Sequence, residues 1–374
     1  MHVIVIGGGA VGCATAFYLA RQGAAVTLIE RGELASEASG AAAGMLAALS
    51  DEGGDRGPAF QQLCLDSLNL YASLLPELDA TGVDLRYRRS GVLHLALSDD
   101  EAGRLRHRFE AQRDVAKGNR WLDKQDIAIE EPDASPRAVA GLLSPDEHYL
   151  DPRSLTEALV AAAQRYGAKV LTGETVTGFP GEGDRLHGVR TKSGRYESDA
   201  VVLASGPWTA RLAAPLGASI PVRPVRGQML SLRGPAQALR HVIWGAGAYL
   251  VPREDGQTFV GATVEEAGFR KRTTVAGLKA LTRGAIEAVP SLAGSEVVRS
   301  WAGLRPATPD GLPVMGLLPG WQNAWVATGH FRNGILLAPI SGRLMASSIL
   351  AGKADATLTP FAAERFVAAA TVLT

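Results

Sequence analysis

The sequence is poor in cysteine, has no net charge and contains no long uninterrupted apolar run. Only two of its 374 residues are cysteines, so we expect no disulfide framework and interpret Cys13 and Cys64 as small core residues. The 38 basic residues balance the 38 acidic ones, and a neutral chain lacks the basic field of a dedicated nucleic-acid binder. Because 46% of the residues are hydrophobic, an intrinsically disordered chain is excluded as well.

The first residues do not resemble a signal peptide. In MHVIVIGGGAVG no basic segment precedes the apolar run, and glycines interrupt that run at once. No stretch reaches about 18 consecutive apolar residues, so we expect no transmembrane segment and a cytoplasmic protein. The chain is longer than one hydrophobic core usually serves, which predicts two domains.

Three glycines at the first strand-to-helix junction complete a dinucleotide fingerprint. An apolar strand precedes Gly7, Gly9 and Gly12, a helix pattern follows, and a second strand ends at Glu30. The glycines allow a tight turn, close approach to a pyrophosphate, and close packing of helix on strand. Glu30 can hydrogen-bond a ribose diol of FAD or NAD, whereas Arg31 beside it would suit the 2′-phosphate of NADP.

Two later segments favour FAD over a nicotinamide cofactor. Residues 36–46, SEASGAAAGML, are small and nearly uncharged, which predicts a loop beside a pyrophosphate and a flavin ring; the alternative is an alanine-rich loop without a ligand. The glycine-ended strand in DAVVLASGPWT, at 199–209, is typical of FAD proteins of the glutathione-reductase type. From these segments we predict the FAD-binding residues Ser39, Ala43, Gly44, Met45, Gly206 and Trp208, the last with a core position as its alternative.

The rest of the chain alternates between two kinds of pattern. Buried parallel-type strands recur near 168–171 and 324–329, whereas residues 222–265 contain short alternating runs typical of antiparallel strands. The fold class is therefore α/β, with a dinucleotide-binding domain interleaved with a domain built on an antiparallel sheet. Further helices are predicted at 59–79, 99–117, 151–167, 273–288 and 334–351.

Five segments together resemble the D-amino-acid-oxidase superfamily of FAD enzymes. In order along the chain they are VIVIGGGAVGCATAFYLARQG…VTLIE, SGAAAGML, VVLASGPW, WAGLRPATPDGLPVMG and GHFRNGILLAP, and their spacing is similar to the branch of bacterial glycine oxidases of thiamine biosynthesis. The resemblance implies FAD as cofactor, a homo-oligomer, and a glutathione-reductase-type FAD-binding Rossmann domain with an interleaved substrate domain on an antiparallel sheet. We assign residues 1–86, 142–220 and 300–374 to the FAD-binding domain and residues 87–141 and 221–299 to the substrate-binding domain.

The resemblance also implies a reaction, the oxidative deamination of glycine, sarcosine or a small D-amino acid. The α-hydrogen would leave as hydride to flavin N5, and water would convert the imino acid to a keto acid with release of ammonia or amine. Molecular oxygen would take the electrons and form hydrogen peroxide. The nearest alternative is an FAD-dependent D-amino-acid or secondary-amine dehydrogenase that uses a quinone or another acceptor. An NAD(P) dehydrogenase and a flavin-binding scaffold without turnover are the remaining alternatives.

Arg305 is the candidate anchor for the substrate carboxylate. It ends an apolar run that Pro306 should cut short, and a guanidinium at such a place needs a partner. A planar guanidinium can hold a carboxylate through two parallel hydrogen bonds, and the resemblance places the family's carboxylate-binding arginine here. The alternative is an internal ion pair with Asp310 or a glutamate.

Two more substrate contacts follow from the resemblance. Tyr249 would donate to the substrate carboxylate, and Arg332 would add a second cation near the substrate side of the flavin; a core tyrosine and a surface arginine are the alternatives. Gly247 stands where the compared oxidases carry a histidine, and Val264 where a methionine is usual. We therefore expect a differently shaped pocket, which weakens the expectation of a strict preference for glycine.

The last long helix completes the predicted site. Its N-terminus would present N–H groups and a positive dipole end to the pyrimidine side of the flavin, which gains negative charge on reduction. No general base is needed when the amine enters neutral. The other histidines lack metal-ligand spacing, so we expect no metal site. The remaining predicted FAD-binding residues are Val176, His330, Arg332, Asn333, Gly334, Ile335 and Leu336.

Overall fold

The computed structural model describes residues 1–50, 56–234 and 239–366, so the parts of the predicted domains at 51–55, 235–238 and 367–374 lie outside the described residues. The strands are β1 (His2–Ile6), β2 (Ala25–Ile29), β3 (Met45–Leu46), β4 (Val92–Ala96), β5 (Arg120–Leu122), β6 (Ala140–Ser144), β7 (His148–Tyr149), β8 (Lys169–Leu171), β9 (Val176–Gly178), β10 (Gly181–Glu182), β11 (Arg185–Leu186), β12 (Gly188–Thr191), β13 (Arg195–Glu197), β14 (Ala200–Leu203), β15 (Arg223–Arg233), β16 (Val242–Gly245), β17 (Ala248–Pro252), β18 (Gln257–Gly261), β19 (Glu296–Ala307), β20 (Val314–Leu317) and β21 (Ala324–Thr328). The α-helices are α1 (Ala10–Arg21), α2 (Ala38–Ala41), α3 (Pro58–Asp79), α4 (Asp99–Ala111), α5 (Lys124–Glu130), α6 (Pro152–Arg165), α7 (Thr209–Ala213), α8 (Val275–Ala288) and α9 (Gly334–Ala351).

A six-stranded sheet holds the dinucleotide-type segments. Its order is β20-β21-β14-β1-β2-β8, with every pairing parallel except that of β20 with β21. In β1, Val3 and Val5 join the core formed with α1, α3, α6 and α9, whereas Ile4 and Ile6 join the core shared with Val189 of β12. Burial on both faces explains the continuous apolar run of β1.

An eight-stranded sheet holds the alternating segments. Its order is β19-β15-β18-β17-β16-β4-β6-β5, and its pairings are antiparallel except that β16 runs parallel to β4. Leu250 and Val260 point towards α8, whose Leu281 and Ala285 belong to the same core. Tyr249 lies on the opposite face, since neighbouring residues of a strand alternate between faces.

The prediction that Pro306 cuts its strand short is wrong. β19 continues to Ala307, and Pro306 lies directly opposite Pro224 of β15. β19 is also an edge strand, where a missing N–H is tolerated because no further strand needs it. The predicted helix at 99–117 is likewise too long, since α4 ends at Ala111, and the segment 36–46 contains the short helix α2 rather than only a loop.

Two predicted domain boundaries fall within strands. The boundary at 141/142 divides β6 and that at 299/300 divides β19, both of which belong to the eight-stranded sheet. We therefore keep the domain division as a proposal, with both strands assigned to the substrate-binding domain.

In the described part of the chain, α9 is the one helix long and apolar enough to cross a membrane by length and composition. Its 18 residues have a mean hydropathy of 1.5, and 72% of them are buried inside the protein. It packs against α1 and α3, so its composition is that of a core helix.

Candidate active site

A cavity of about 460 Å³ is lined by residues from both large sheets. It brings together every predicted site residue except Gly12, although these residues come from distant parts of the sequence. The predicted residues that line it are Gly7, Gly9, Glu30, Arg31, Ser39, Ala43, Gly44, Met45, Val176, Gly206, Trp208, Tyr249, Arg305, His330, Arg332, Asn333, Gly334, Ile335 and Leu336.

The N-terminus of α1 opens into this cavity. A Cβ at Gly12 would overlap the carbonyl oxygen of Gly7, so Gly12 serves close packing rather than direct contact with a ligand. Gly7 itself has a φ of 123°, which a side chain would disfavour. The N-cap Gly9 has no side chain to occupy the helix end, and the Ser39 hydroxyl accepts a 2.9 Å hydrogen bond from the Ala10 N–H.

Glu30 joins the loop after β1 to the loop after β2. One carboxylate oxygen accepts a 2.7 Å hydrogen bond from the Gly8 N–H and the other a 2.8 Å bond from the Gly32 N–H. These bonds fix the carboxylate at the cavity wall, and its predicted contact with a ribose stays a prediction.

Arg31 and Trp208 form a stacked pair on the cavity wall. The guanidinium carbon lies 3.9 Å from the centre of the indole ring, and the guanidinium pairs with Glu37 at 3.1 Å. Trp208 also contacts Phe269, with ring centres 5.3 Å apart. Trp208, which follows β14 of the six-stranded sheet, thus lines the cavity and also contacts the segment between β18 and α8.

Arg253 ties the 36–46 segment to the eight-stranded sheet. Its guanidinium donates to the carbonyl oxygen of Ala43 and, at 3.3 Å, to that of Leu150. The same carbonyl of Leu150 packs against Gly44, where a Cβ would overlap it. Burial lowers the pKa of Arg253, although nearby carboxylates including Asp151 partly offset this. Arg253 therefore fixes a wall of the cavity, although it is not among the predicted site residues.

The N-terminus of α9 forms another part of the lining. Its N-cap Asn333 makes no side-chain capping bond, and its side-chain oxygen accepts a 3.1 Å hydrogen bond from Arg56. Phe331 has a φ of 47°, an uncommon value for a residue with a side chain, and its N–H donates to the Pro306 carbonyl at 3.0 Å. This bond joins the loop before α9 to β19.

His330 is a buried, neutral part of that loop. It is 3% exposed, and its Nε2 lies 2.9 Å from the Ser341 hydroxyl of α9. Burial lowers the pKa of His330 to about 4, because the charged imidazolium would lose its hydration. The contact with Ser341 holds the loop against the helix.

Arg305 reaches the cavity across the neighbouring strand. A Cβ at Gly227 would lie 2.5 Å from the guanidinium carbon, so only glycine leaves room for this side chain. The guanidinium donates a 2.9 Å hydrogen bond to the Thr263 carbonyl. Asp310, one of the partners in the alternative hypothesis, instead pairs with Arg365 at 2.8 Å.

Tyr249 is partly buried beside two cations. Its hydroxyl lies 3.2 Å from the Met229 sulfur. Burial raises the pKa of Tyr249, while Arg305 and Arg332 oppose that rise. The phenol therefore stays protonated as a hydrogen-bond donor at neutral pH.

Several features of the cavity do not follow from the sequence. Met229 and Trp244 line it, and the alternation of their strands alone does not reveal which strands become neighbours. Gly247 lines it as expected, but Val264 does not; it is 53% exposed, so its difference from the usual methionine does not reshape the cavity. Over the described ranges, no group of three or more His, Cys, Asp or Glu side chains could hold a metal ion.

The donor set of the cavity suits a flavin dinucleotide. Two helix N-termini, at Gly9 and Asn333, lack side-chain caps of their own and can face anionic or electron-rich groups. Residues 41–44, which are three alanines and a glycine, also line the cavity and present no large side chain.

Comparison with known proteins agrees with this geometry. Residues 2–348 match the DAO family, described as FAD dependent oxidoreductase. The glycine oxidase of Geobacillus kaustophilus is 35% identical over 368 residues, which cover 98% of this chain and 97% of that protein. A crystal structure of glycine oxidase from the same organism has a TM-score of 0.91 at 34% identity, covering 97% of this chain and 98% of that one.

Two further relatives are of similar identity. The glycine oxidase of Pseudomonas aeruginosa is 38% identical over 353 residues, or 92% of this chain and 93% of that protein. The bifunctional protein ThiO/ThiG of Trichormus variabilis is 36% identical over 369 residues, or 97% of this chain and 55% of that longer protein. This chain therefore belongs to the DAO family of FAD-dependent oxidoreductases, and its cofactor is FAD.

Proposed function

We propose that this enzyme oxidises glycine or a similarly small amino acid, such as sarcosine or a small D-amino acid. The observation that carries the proposal is that Arg305, Tyr249 and Arg332 line the same cavity as the dinucleotide loop. Two guanidinium groups and a phenol suit a carboxylate, which every candidate substrate shares. In the balanced reaction, the amino acid, oxygen and water give a keto acid, ammonia or an amine, and hydrogen peroxide.

Each of the three side chains has a distinct role in this proposal. Arg305 anchors the carboxylate, since its bond to Thr263 and the space over Gly227 give the guanidinium a defined orientation. Tyr249 donates a hydrogen bond from a protonated phenol. Arg332 adds positive potential that favours an anionic substrate.

The protein otherwise orients the reactants. FAD, when bound, supplies the two-electron acceptor that oxygen reoxidises. The N-terminus of α9 would stabilise negative charge in the cavity, and residues 41–44 add only small side chains to its lining. No protein base is required when the substrate amine binds in its neutral form.

Anaerobic mixing of the enzyme with a panel of amino acids tests this proposal. We expect glycine, sarcosine, D-alanine or D-proline to bleach the flavin absorbance at about 450 nm, and L-alanine and L-proline to leave it unchanged. A flavin-loaded protein that no small amino acid bleaches would contradict the proposal and favour a scaffold role.

The relatives support a place in metabolism as well. The name ThiO/ThiG supports the role in thiamine biosynthesis that the resemblance implies. A cytoplasmic location and a homo-oligomeric state stay predictions, and light scattering on the purified protein tests the second.

A further inference from the structure

One row of cross-strand neighbours crosses the whole eight-stranded sheet on its cavity side. Residues directly opposite each other on adjacent strands place their side chains on the same face. Four members of the row, from β16, β17, β18 and β15, line the cavity. From β5 to β19 the row consists of Trp121, Leu142, His94, Trp244, Tyr249, Gly261, Met229 and Trp301.

Gly261, the one member of this row without a side chain, lies on one side of Tyr249. A Cβ at Gly261 would lie 2.5 Å from the Tyr249 hydroxyl oxygen, so the ring extends across the glycine towards Met229. On its other side, Tyr249 meets Trp244, with ring centres 5.6 Å apart. Tyr249 and Trp244 therefore form adjoining parts of the cavity floor.

His94 packs against Trp244 on the side opposite Tyr249. Its indole stacks on the His94 ring, with centres 5.3 Å apart and planes 17° apart. His94 is 1% exposed, and burial keeps its pKa well below the usual value, so it packs as a neutral ring. Clamped between His94 and Tyr249, Trp244 offers the cavity a fixed apolar surface.

The turn that follows Trp244 leaves open space beside it. Gly247 lines the cavity, and a Cβ there would have no atom within 4 Å. The part of the cavity around Tyr249 thus has a cationic side at Arg305 and an apolar side at Trp244. A carboxylate bound to Arg305 would leave the rest of a small substrate to meet the indole.

We propose that Trp244 determines substrate specificity, because its indole contacts the N-substituent or α-substituent of the amino acid and limits its size. The proposal rests on the proposed function. It assigns to the enzyme glycine derivatives with a small apolar group, such as N-methyl, and excludes larger ones through contact with the indole.

The test compares N-ethylglycine with glycine as substrates of the holoenzyme. Trp244→Leu should raise the ratio of kcat/KM for N-ethylglycine to that for glycine by about 10-fold or more, since one methylene in an apolar pocket is worth roughly 10- to 200-fold. Trp244→Phe, which keeps an aromatic ring against His94, should raise it less. Trp121→Leu is the matched control, because it alters a tryptophan of the same row outside the cavity, and should leave the ratio unchanged.

The outcomes separate the inference from the function on which it rests. If Trp244→Leu and Trp244→Phe bind FAD and keep the wild-type ratio, the assignment of Trp244 is wrong. If Trp244→Leu does not retain FAD, Trp244→Phe decides. If no amino acid reduces the wild-type flavin, the proposed function is wrong. In that case the role of Trp244 is decided in the same variants by the ratio of butyrate affinity to acetate affinity, which is measured from the shift in flavin absorbance.

Discussion

At the scale of single residues, the proposed carboxylate binding depends most on Arg305, whose guanidinium lines the cavity. A guanidinium at the end of an apolar run marks Arg305 as a candidate without any structure. The groups that orient it are Gly227 of β15 and the Thr263 carbonyl, which follows β18, and they become its neighbours only through the pairing of strands in the sheet. His330 can be located from its motif, but its burial and its contact with Ser341 cannot.

Substitution of Arg305 by lysine tests the proposed carboxylate anchor. Lysine keeps the positive charge but loses the planar fork, so we expect KM to rise by roughly 10- to 100-fold, the value of one or two charge-assisted hydrogen bonds. Arg365→Lys is the control, since Arg365 pairs with Asp310 outside the cavity lining. Steady-state kinetics in which Arg305→Lys matches wild type in both KM and turnover would refute the anchor.

The pKa of His330 predicts a pH-dependent loss of stability. Burial lowers this pKa to about 4 from an ordinary 6.5, so below about pH 6.5 the unfolded chain binds a proton that the folded chain does not. Stability is therefore lost as pH falls from about 6.5 to 4, by about 2 kcal/mol between pH 7 and 5.

Urea unfolding of His330→Asn at pH 7 and pH 5 measures this contribution. The variant should lose less stability than wild type between the two pH values, and His187→Asn, which alters an exposed histidine, should match wild type. Equal losses in His330→Asn and wild type would show that His330 does not titrate as its burial implies.

At the scale of elements, periodicity predicts type and approximate position, but not pairing. The strands at 2–7, 25–30 and 324–329 are predicted as buried parallel strands, and β1, β2 and β21 confirm this. The parallel pairing of β16 with β4 and the extension of β19 through Pro306 do not follow from any local pattern. They depend on which strands are neighbours and on the free edge of β19, which are properties of the sheet.

A glycine pair tests the packing at the first strand-to-helix junction. Gly12→Ala should weaken FAD binding by about 10-fold or more, because the new Cβ overlaps the Gly7 carbonyl and must displace the loop that faces the cofactor. Gly103→Ala in α4 places its Cβ in open space and should preserve FAD affinity while slightly stabilising the helix. Titration of the apoproteins with FAD by flavin fluorescence measures both, and equal affinities would contradict the packing role of Gly12.

At the scale of the whole molecule, the cavity explains why the chain is interleaved. The dinucleotide loop follows β1 and the α9 N-terminus follows β21 of the six-stranded sheet, whereas Tyr249, Trp244 and Arg305 belong to strands of the eight-stranded one. A site of this kind forms only when both sheets pack together, so no single segment of the sequence contains it. The resemblance to a known family predicts this assembly, because the family's motifs already include residues from both parts.

The electron acceptor distinguishes the oxidases of amino acids from the dehydrogenases. Oxidases and dehydrogenases of amino acids can share a carboxylate anchor and a flavin, since both remove a hydride from the same carbon. Reactivity with oxygen depends on small features beside the flavin, and turnover under air measures it.

Peroxide yield under air is the measurement that tests the central proposal most directly. With the best substrate of the panel as sole reductant, we predict that each amino acid molecule oxidised consumes one oxygen molecule and yields one of hydrogen peroxide. Amino acid oxidation that proceeds only with an added quinone, without peroxide, would contradict the assignment as an oxidase and establish a dehydrogenase.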